Sequence, residues 1–331
     1  MNKEINRIFS IVFIAILFLF GQALAQRVVQ VNQGVGTLND AIDGDTTSTG
    51  ARIDPNTIYE LVDDGGLYLL TGSIENTDYH LTIRAADGLA NRPILQPAVE
   101  TGGGSSRAFR VRGDVTLQGL YITNLDEQNG LNKNIIRCSA DSIRVIIDSC
   151  QLDYDTQSAL RLDDPWMTII ITNSIISNIG KMSSPDNGRG IDDRGNEIDT
   201  LILENNTFYN ITSRILRDGG GIINYAKIDH NTIADIAQRG CSIGEAVEVY
   251  YTNNLVINNG FLGREQSSTR SMVEISPIGA DLVQQGIEQK ISIENNNFWV
   301  DPQLVAVQPD TIDEVTIFDS TTAALVDSFQ T

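Results

Sequence analysis

The chain has 331 residues, 41% hydrophobic and 20% charged, with a formal net charge of −20 at pH 7. That length allows one large domain or two ordinary ones, and its plentiful, periodically placed apolar residues exclude a disordered chain. So acidic a chain repels phosphate backbones, which argues against nucleic acid, and three Cys with two His argue against a disulfide framework or a zinc site.

In chain order, residues 1–25 read as a secretory signal. Lys3 and Arg7 form a basic head, Ile8 to Phe20 is an apolar run too short for a comfortable membrane span, and Ala23-Leu24-Ala25 is a small-x-small cleavage site. The expected location is therefore secreted, periplasmic or on the cell surface, with no membrane span after signal removal. Residues 26–56 are expected to form an N-terminal cap. Within them "GTLNDAIDGD" (36–45) places Leu38, Ala41 and Ile42 on one face of a short helix.

From residue 57 to 300 one frame repeats. "QGLYITN" (118–124), "DSCQLDY" (148–154), "TNSIISN" (172–178), "ENNTFYN" (204–210), "DHNTIAD" (229–235), "TNNLVIN" (252–258) and "ENNNFWV" (294–300) share it, at spacings of 23 to 42 residues. Periods of that size mean a solenoid or propeller. Alternating segments precede each copy, such as "IRVII" (143–147) and "MTIII" (167–171), and shorter ones come earlier, such as "AFRVR" (108–112) and "ALRLD" (159–163). Three short strands per repeat predict an all-β fold, a right-handed parallel β-helix of about 8–10 coils. Stacked coils would place Cys150, Ser174, Asn206, Asn231, Asn254 and Asn296 in one inward column, and Asn124, Asn178, Asn210, Asp235 and Asn258 at a second corner. The ladder asparagines, Asn206, Asn231, Asn254 and Asn296, would satisfy corner backbone groups. Cys138, Cys150 and Cys241 read as core residues. Residues 301–331 are expected to be a C-terminal cap or tail.

"TLNDAIDGD", "IYELVDDGGLY", "ENNTFYN" and "NNLVINNG" resemble the secreted β-helix proteins of the pectate lyase and chondroitinase B superfamily, most closely exported members from Bacteroidetes-type bacteria. The resemblance covers most of the chain after the signal and concerns the scaffold.

Outward positions of the first strand carry Arg110, Arg137, Arg161, Asp163, Asp192, Arg194 and Arg217, an arginine-rich stripe down one face. Two explanations stand side by side: an internal salt-bridge ladder, or a groove for an extended polyanion whose carboxylates meet the guanidinium forks. The resemblance implies that such a face binds or cleaves acidic polysaccharide, with β-elimination on uronic acids as the reaction. Arg137 and Arg161 would then neutralise the sugar carboxylate and Arg217 or Lys227 would be the base. No stretch matches the lyases' catalytic Lys/Arg signature, so a noncatalytic glycan-binding or adhesion protein remains the alternative. Paired acids such as Asp192 with Asp193, Asp163 with Asp164, and Asp218 would suit a hydrolase or a calcium ion. The cofactor is open, with calcium as the candidate; the expected partner is an acidic polysaccharide, bound by a monomer. His230 in "KIDHNT" stands where other repeats have Ser149, Asn173, Asn205 and Asn253, which predicts a turn residue.

Overall fold

The computed structural model of the protein describes residues 26–99, 107–260, 271–306 and 316–329; the expected signal segment lies outside them. Three parallel sheets run along one axis. Sheet I takes the first strand of each coil, from Ile74–Thr77 and Phe109–Arg112 through Arg214–Arg217 to Ser271–Ser276. Sheet II takes the second, for example Arg144–Asp148 and Met167–Thr172. Sheet III takes the third, for example Gln151–Asp155 and Ile175–Ile179, and has 10 strands. Sheets I and II are joined where the 12-residue strand Cys241–Thr252 continues from one into the other across a corner. The expected parallel β-helix of three strands per coil is what the chain forms.

Side-chain alternation explains the coil. In Met167–Thr172 every second residue is buried, so Met167, Ile169 and Ile171 face inward while Thr168, Ile170 and Thr172 face out. Parallel register then stacks like on like. Leu117, Ile147, Ile171, Leu203, Ile228 and Tyr251 pair successively along sheet II and line one inner column. The three cysteines are free and buried in this core, where burial pushes the Cys150 thiol up to about 12.

The corner between sheets II and III carries the asparagine ladder. Ser174 N–H donates to Asn206 Oδ1 at 2.9 Å, Asn206 N–H to Asn231 Oδ1 at 2.9 Å, Asn231 N–H to Asn254 Oδ1 at 3.0 Å, and Asn254 N–H to Asn296 Oδ1 at 2.9 Å. Each amide Nδ2 turns the other way, onto the carbonyls of Ile171, Leu203, Ile228 and Tyr251 at 2.7–2.9 Å. One side chain thus satisfies an N–H of the preceding coil and a carbonyl at the end of a sheet II strand, groups the bend leaves without strand partners. Just before each ladder residue, Ser149, Asn173, Asn205, His230, Asn253 and Asn295 take φ of 53° to 57°, the left-handed region that Asn and His tolerate. His230 is therefore a turn residue, as its frame position implies.

The second corner differs from expectation. Asn178, Asn210, Asp235 and Asn258 have φ near 55° and reach solvent, because a left-handed turn residue swings its Cβ outward. Of the column expected there, only Asn124 points in, and it is fully buried.

The coils also extend past residues 57–300 on both sides. Val28–Val31 pairs with Ile58–Leu61, and Thr316–Phe318 pairs with Ser271–Ser276. Helix Thr37–Asp43 covers the first end with Leu38 and Ile42 buried, and Asn39 fastens it to the next coil through Gly72 O at 3.2 Å and Thr71 N at 3.1 Å. Helix Ser320–Phe329 packs on the other end, where buried Thr322 Oγ1 accepts from Ile275 N at 2.8 Å.

Asn231→Leu strands the Asn206 N–H and the Leu203 carbonyl in the core. We expect a loss of about 2 kcal/mol in urea unfolding; a midpoint within error of wild type would count against the ladder's role.

Candidate functional site

Register, more than strand identity, builds the site. Glu75, Arg110, Arg137, Arg161, Asp192, Arg217, Ser242 and Glu274 pair one after another and form a single column on the outside of sheet I. A second column three residues upstream contains Ser158, Arg189 and Arg214, and Arg239 continues it by the same register. Arg107 stands at the matching position before Phe109–Arg112. Guanidinium groups on adjacent coils sit about 4.8 Å apart at their roots and repel by about 1 kcal/mol per pair in water-like surroundings, so each needs a counter-charge.

Part of that counter-charge is internal. Asp163 accepts from Arg161 Nε at 2.7 Å and also from Arg137 Nε. Burial pushes the Asp163 carboxyl up, but the bonds from these two guanidiniums outweigh it and hold it below the usual carboxylate range. Asp192 meets Arg189 at 2.7 Å, Arg217 at 3.0 Å and Arg194 at 3.9 Å, and these cover it so well that it is only 3% exposed on an outward position. Arg112 pairs with Glu75 at 2.6 Å and Arg239 with Glu274 at 3.1 Å.

Where the stripe begins, the compensation is incomplete. Arg107, Arg110, Arg137 and Lys133 line a recess of about 470 Å³ with Ser73, Glu75, Leu131 and Asn132. Arg110 has no ion pair among the described residues, and its buried Nε has no hydrogen-bond partner. Burial first, then the charges of Arg137, Arg110 and Arg161, lower the basicity of Arg107, the sign of cations crowded together. Four cations facing one carboxylate, in a chain of net charge −20, make a seat for an anion.

The larger cleft, about 1000 Å³, lies elsewhere, between the 86–93 loop and the corner of sheets II and III. Its cations are committed, Arg84 to Glu60 at 2.7 Å and Arg92 to the Ser149 carbonyl at 2.8 Å. The recess on sheet I is therefore the stronger candidate.

Arg110, Arg137, Arg161, Asp163, Asp192, Arg194 and Arg217 are brought to one face, as their spacing implies. Arg194 joins from the turn after its strand, at φ 62°. Lys227 does not join them. It sits on sheet II between Ile202 and Tyr250, and its ammonium is held by Glu204 at 2.9 Å and Asp229 at 3.5 Å. The hydrogen bond it donates to Glu204 raises its basicity, the wrong direction for a group that must shed a proton to act as base. Arg217 is likewise occupied by Asp192, so the two expected bases neither meet nor stand free. The sequence reading missed Arg107, Lys133, Arg189, Arg214 and Arg239; Arg189 and Arg214 lie three residues before Asp192 and Arg217, an odd step that a period-two reading of the strand assigns to the other face.

Asp193 faces inward with no exposure and accepts from Gly195 N and Gly219 N, both at 3.0 Å. Burial pushes it up to about 7, and burial also raises its neighbour Asp218. These acids close a corner of the coil. Asp155 likewise rises to about 7 by burial, and it accepts from Asn124, which in turn accepts from Ala108 N beside Arg107. No three His, Cys, Asp or Glu side chains converge in a metal-binding arrangement among the described residues, and none of their helices is long and apolar enough to cross a membrane.

A family model described as "Disaggregatase related" matches residues 101–221, which include Arg107 and the column from Arg110 to Arg217. Two solved structures are similar in outline. A PL6 family alginate lyase, AlyGC, is 14% identical over 82% of this chain and 40% of its own, with a TM-score of 0.46. An alginate lyase from Paenibacillus sp. str. FPU-7 is 15% identical over 82% of this chain and 98% of its own, with a TM-score of 0.40. The chain thus spans about 40% of the length of the first lyase. No curated protein matches.

Two outcomes follow. Asp192→Asn leaves Arg189, Arg194 and Arg217 around a neutral amide; urea unfolding is expected to show a loss of about 3 kcal/mol, and an unchanged midpoint would contradict the charge balance drawn above. Asp155 and Asp193 have raised pKa values in the folded state. Their stabilising share is therefore complete below about pH 4 and lost as pH rises through about 7. The wild-type urea midpoint should be lower at about pH 8 than at about pH 5, and Asp155→Asn with Asp193→Asn should flatten that slope whatever their effect on absolute stability.

Proposed function

We propose that the protein binds an acidic polysaccharide along sheet I, outside the cytoplasm, with a carboxylate or sulfate of the glycan seated among Arg107, Arg110, Lys133 and Arg137. The observation that carries this reading is the recess itself: a cluster of four cations of which, among the described residues, Arg137 alone has a carboxylate partner, in an otherwise strongly acidic chain. Arginine forks meet carboxylates in two parallel bonds, and a strand ladder repeats that offer at the regular interval a polymer requires. A neutral ligand would gain nothing from it. The superfamily resemblance of the repeat points to the same class of ligand.

Binding suits the geometry better than β-elimination. The reaction needs a proton acceptor beside the seated carboxylate, whereas Arg217 is paired with Asp192 and Lys227 lies on another sheet.

Titration calorimetry with alginate, pectate, chondroitin sulfate and a neutral glucan tests the reading. Binding of at least one polyanion is expected, weakening about tenfold or more on moving to high salt, and the neutral glucan should give no heat. Arg110→Ala with Arg137→Ala should lower the affinity at least about tenfold. Equal affinity for the neutral glucan, or an unaffected double variant, would remove the recess as the binding site. A growing absorbance from unsaturated uronate product would overturn the preference for binding over cleavage.

A further inference from the structure

Beyond the recess, the face carries a second concentration of charge. Arg189, Arg214 and Arg239 stand on three successive coils in the upstream column, flanked by Arg217 and Arg194. The carboxylates that meet them are Asp192 and Glu274, and Asp186 approaches from the neighbouring loop through Gln238. Arg214, the middle member, has no ion pair among the described residues. Its Nε donates to Ser213 Oγ at 3.3 Å and one terminal nitrogen to Ser242 Oγ at 3.1 Å, contacts that orient a guanidinium without neutralising it. The Nε of Arg189 is buried with no partner. Burial, with Arg239 next, pushes the basicity of Arg214 down to about 10, which agrees with a cation enclosed among cations.

We propose that Arg189, Arg214 and Arg239 form a second anion-binding subsite, so that the ligand is a linear chain with negative groups at both ends of the span from Arg110 to Arg214. This rests on the glycan reading of the recess. Four register steps separate the two strands, about 19 Å at the usual strand spacing, a distance that about four extended pyranose units cover. Between the two clusters the upstream column offers the small, neutral Ser158 and the central column an Arg161 already held by Asp163, so the middle of the span is nearly neutral. A dimer can fill one cluster alone. A hexamer or longer chain reaches both, and the second contact then forms at high effective concentration.

A length series of oligouronates, from dimer through tetramer and hexamer to octamer, tests this by calorimetry on the full chain. Affinity is expected to rise steeply between tetramer and hexamer. Arg214→Met should lower octamer affinity about tenfold and leave dimer affinity unchanged. The unchanged dimer also serves as the folding control, since its site is four coils away, and Arg239→Gln provides an independent variant with the same expectation. Octamer binding unaffected by both variants eliminates the second subsite and leaves the recess standing. A dimer weakened as much as the octamer, with native circular dichroism, shows one merged site and also overturns the proposal. If no oligomer of any length binds the wild type, the glycan reading falls and the second subsite falls with it.

Discussion

Every other feature of this protein depends on how the corner between sheets II and III disposes of its backbone. A strand that turns a tight corner leaves N–H and carbonyl groups facing the core, where an unpaired polar group is costly. The chain answers with a single residue type used repeatedly, from Asn206 to Asn296, each amide reaching back to the preceding coil to accept from one N–H and donate to one carbonyl there. Because both halves of each amide are used, neighbouring coils are locked at one register. A slip by one residue would turn every inward isoleucine of sheet II outward.

That locked register is also what gives sheet I its electrostatic character. Arginines separated by 24 to 27 residues in sequence become neighbours only because their strands pair without offset. Once stacked, they repel, and the protein settles the repulsion unevenly. Asp163 and Asp192 each serve two or three guanidiniums, leaving Arg110 and Arg214 without carboxylate partners among the described residues. The internal ion pairs expected of the stripe thus form on some coils, while on others a cation stands without a carboxylate among the described residues. The acidity of the rest of the chain sharpens this contrast in local charge.

The expected bases show where chemistry read from residue type alone goes astray. The resemblance implies Lys227 or Arg217 as the base, but strand Ile223–Asp229 belongs to sheet II, where Glu204 and Asp229 hold the Lys227 ammonium. Asp193 and Asp218 looked like members of a carboxylate pair, and their roles are set by Gly195, Gly219 and Gly220, whose N–H groups they accept at a corner.

The repeat frame was enough to establish the coiling, the inward ladder, the turn role of His230 and the central arginine column, because a fixed separation of polar posts and an alternation of period two are local properties that survive translation into stacked strands. The repeat could not reveal which arginines remain uncompensated, that Asn178 and Asn210 face solvent, or that Arg189, Arg214 and Arg239 align in a second column. Those outcomes depend on left-handed turns at the corners and on which carboxylate reaches which guanidinium across coils, contacts between residues far apart in the chain that come into being only when the whole helix is wound.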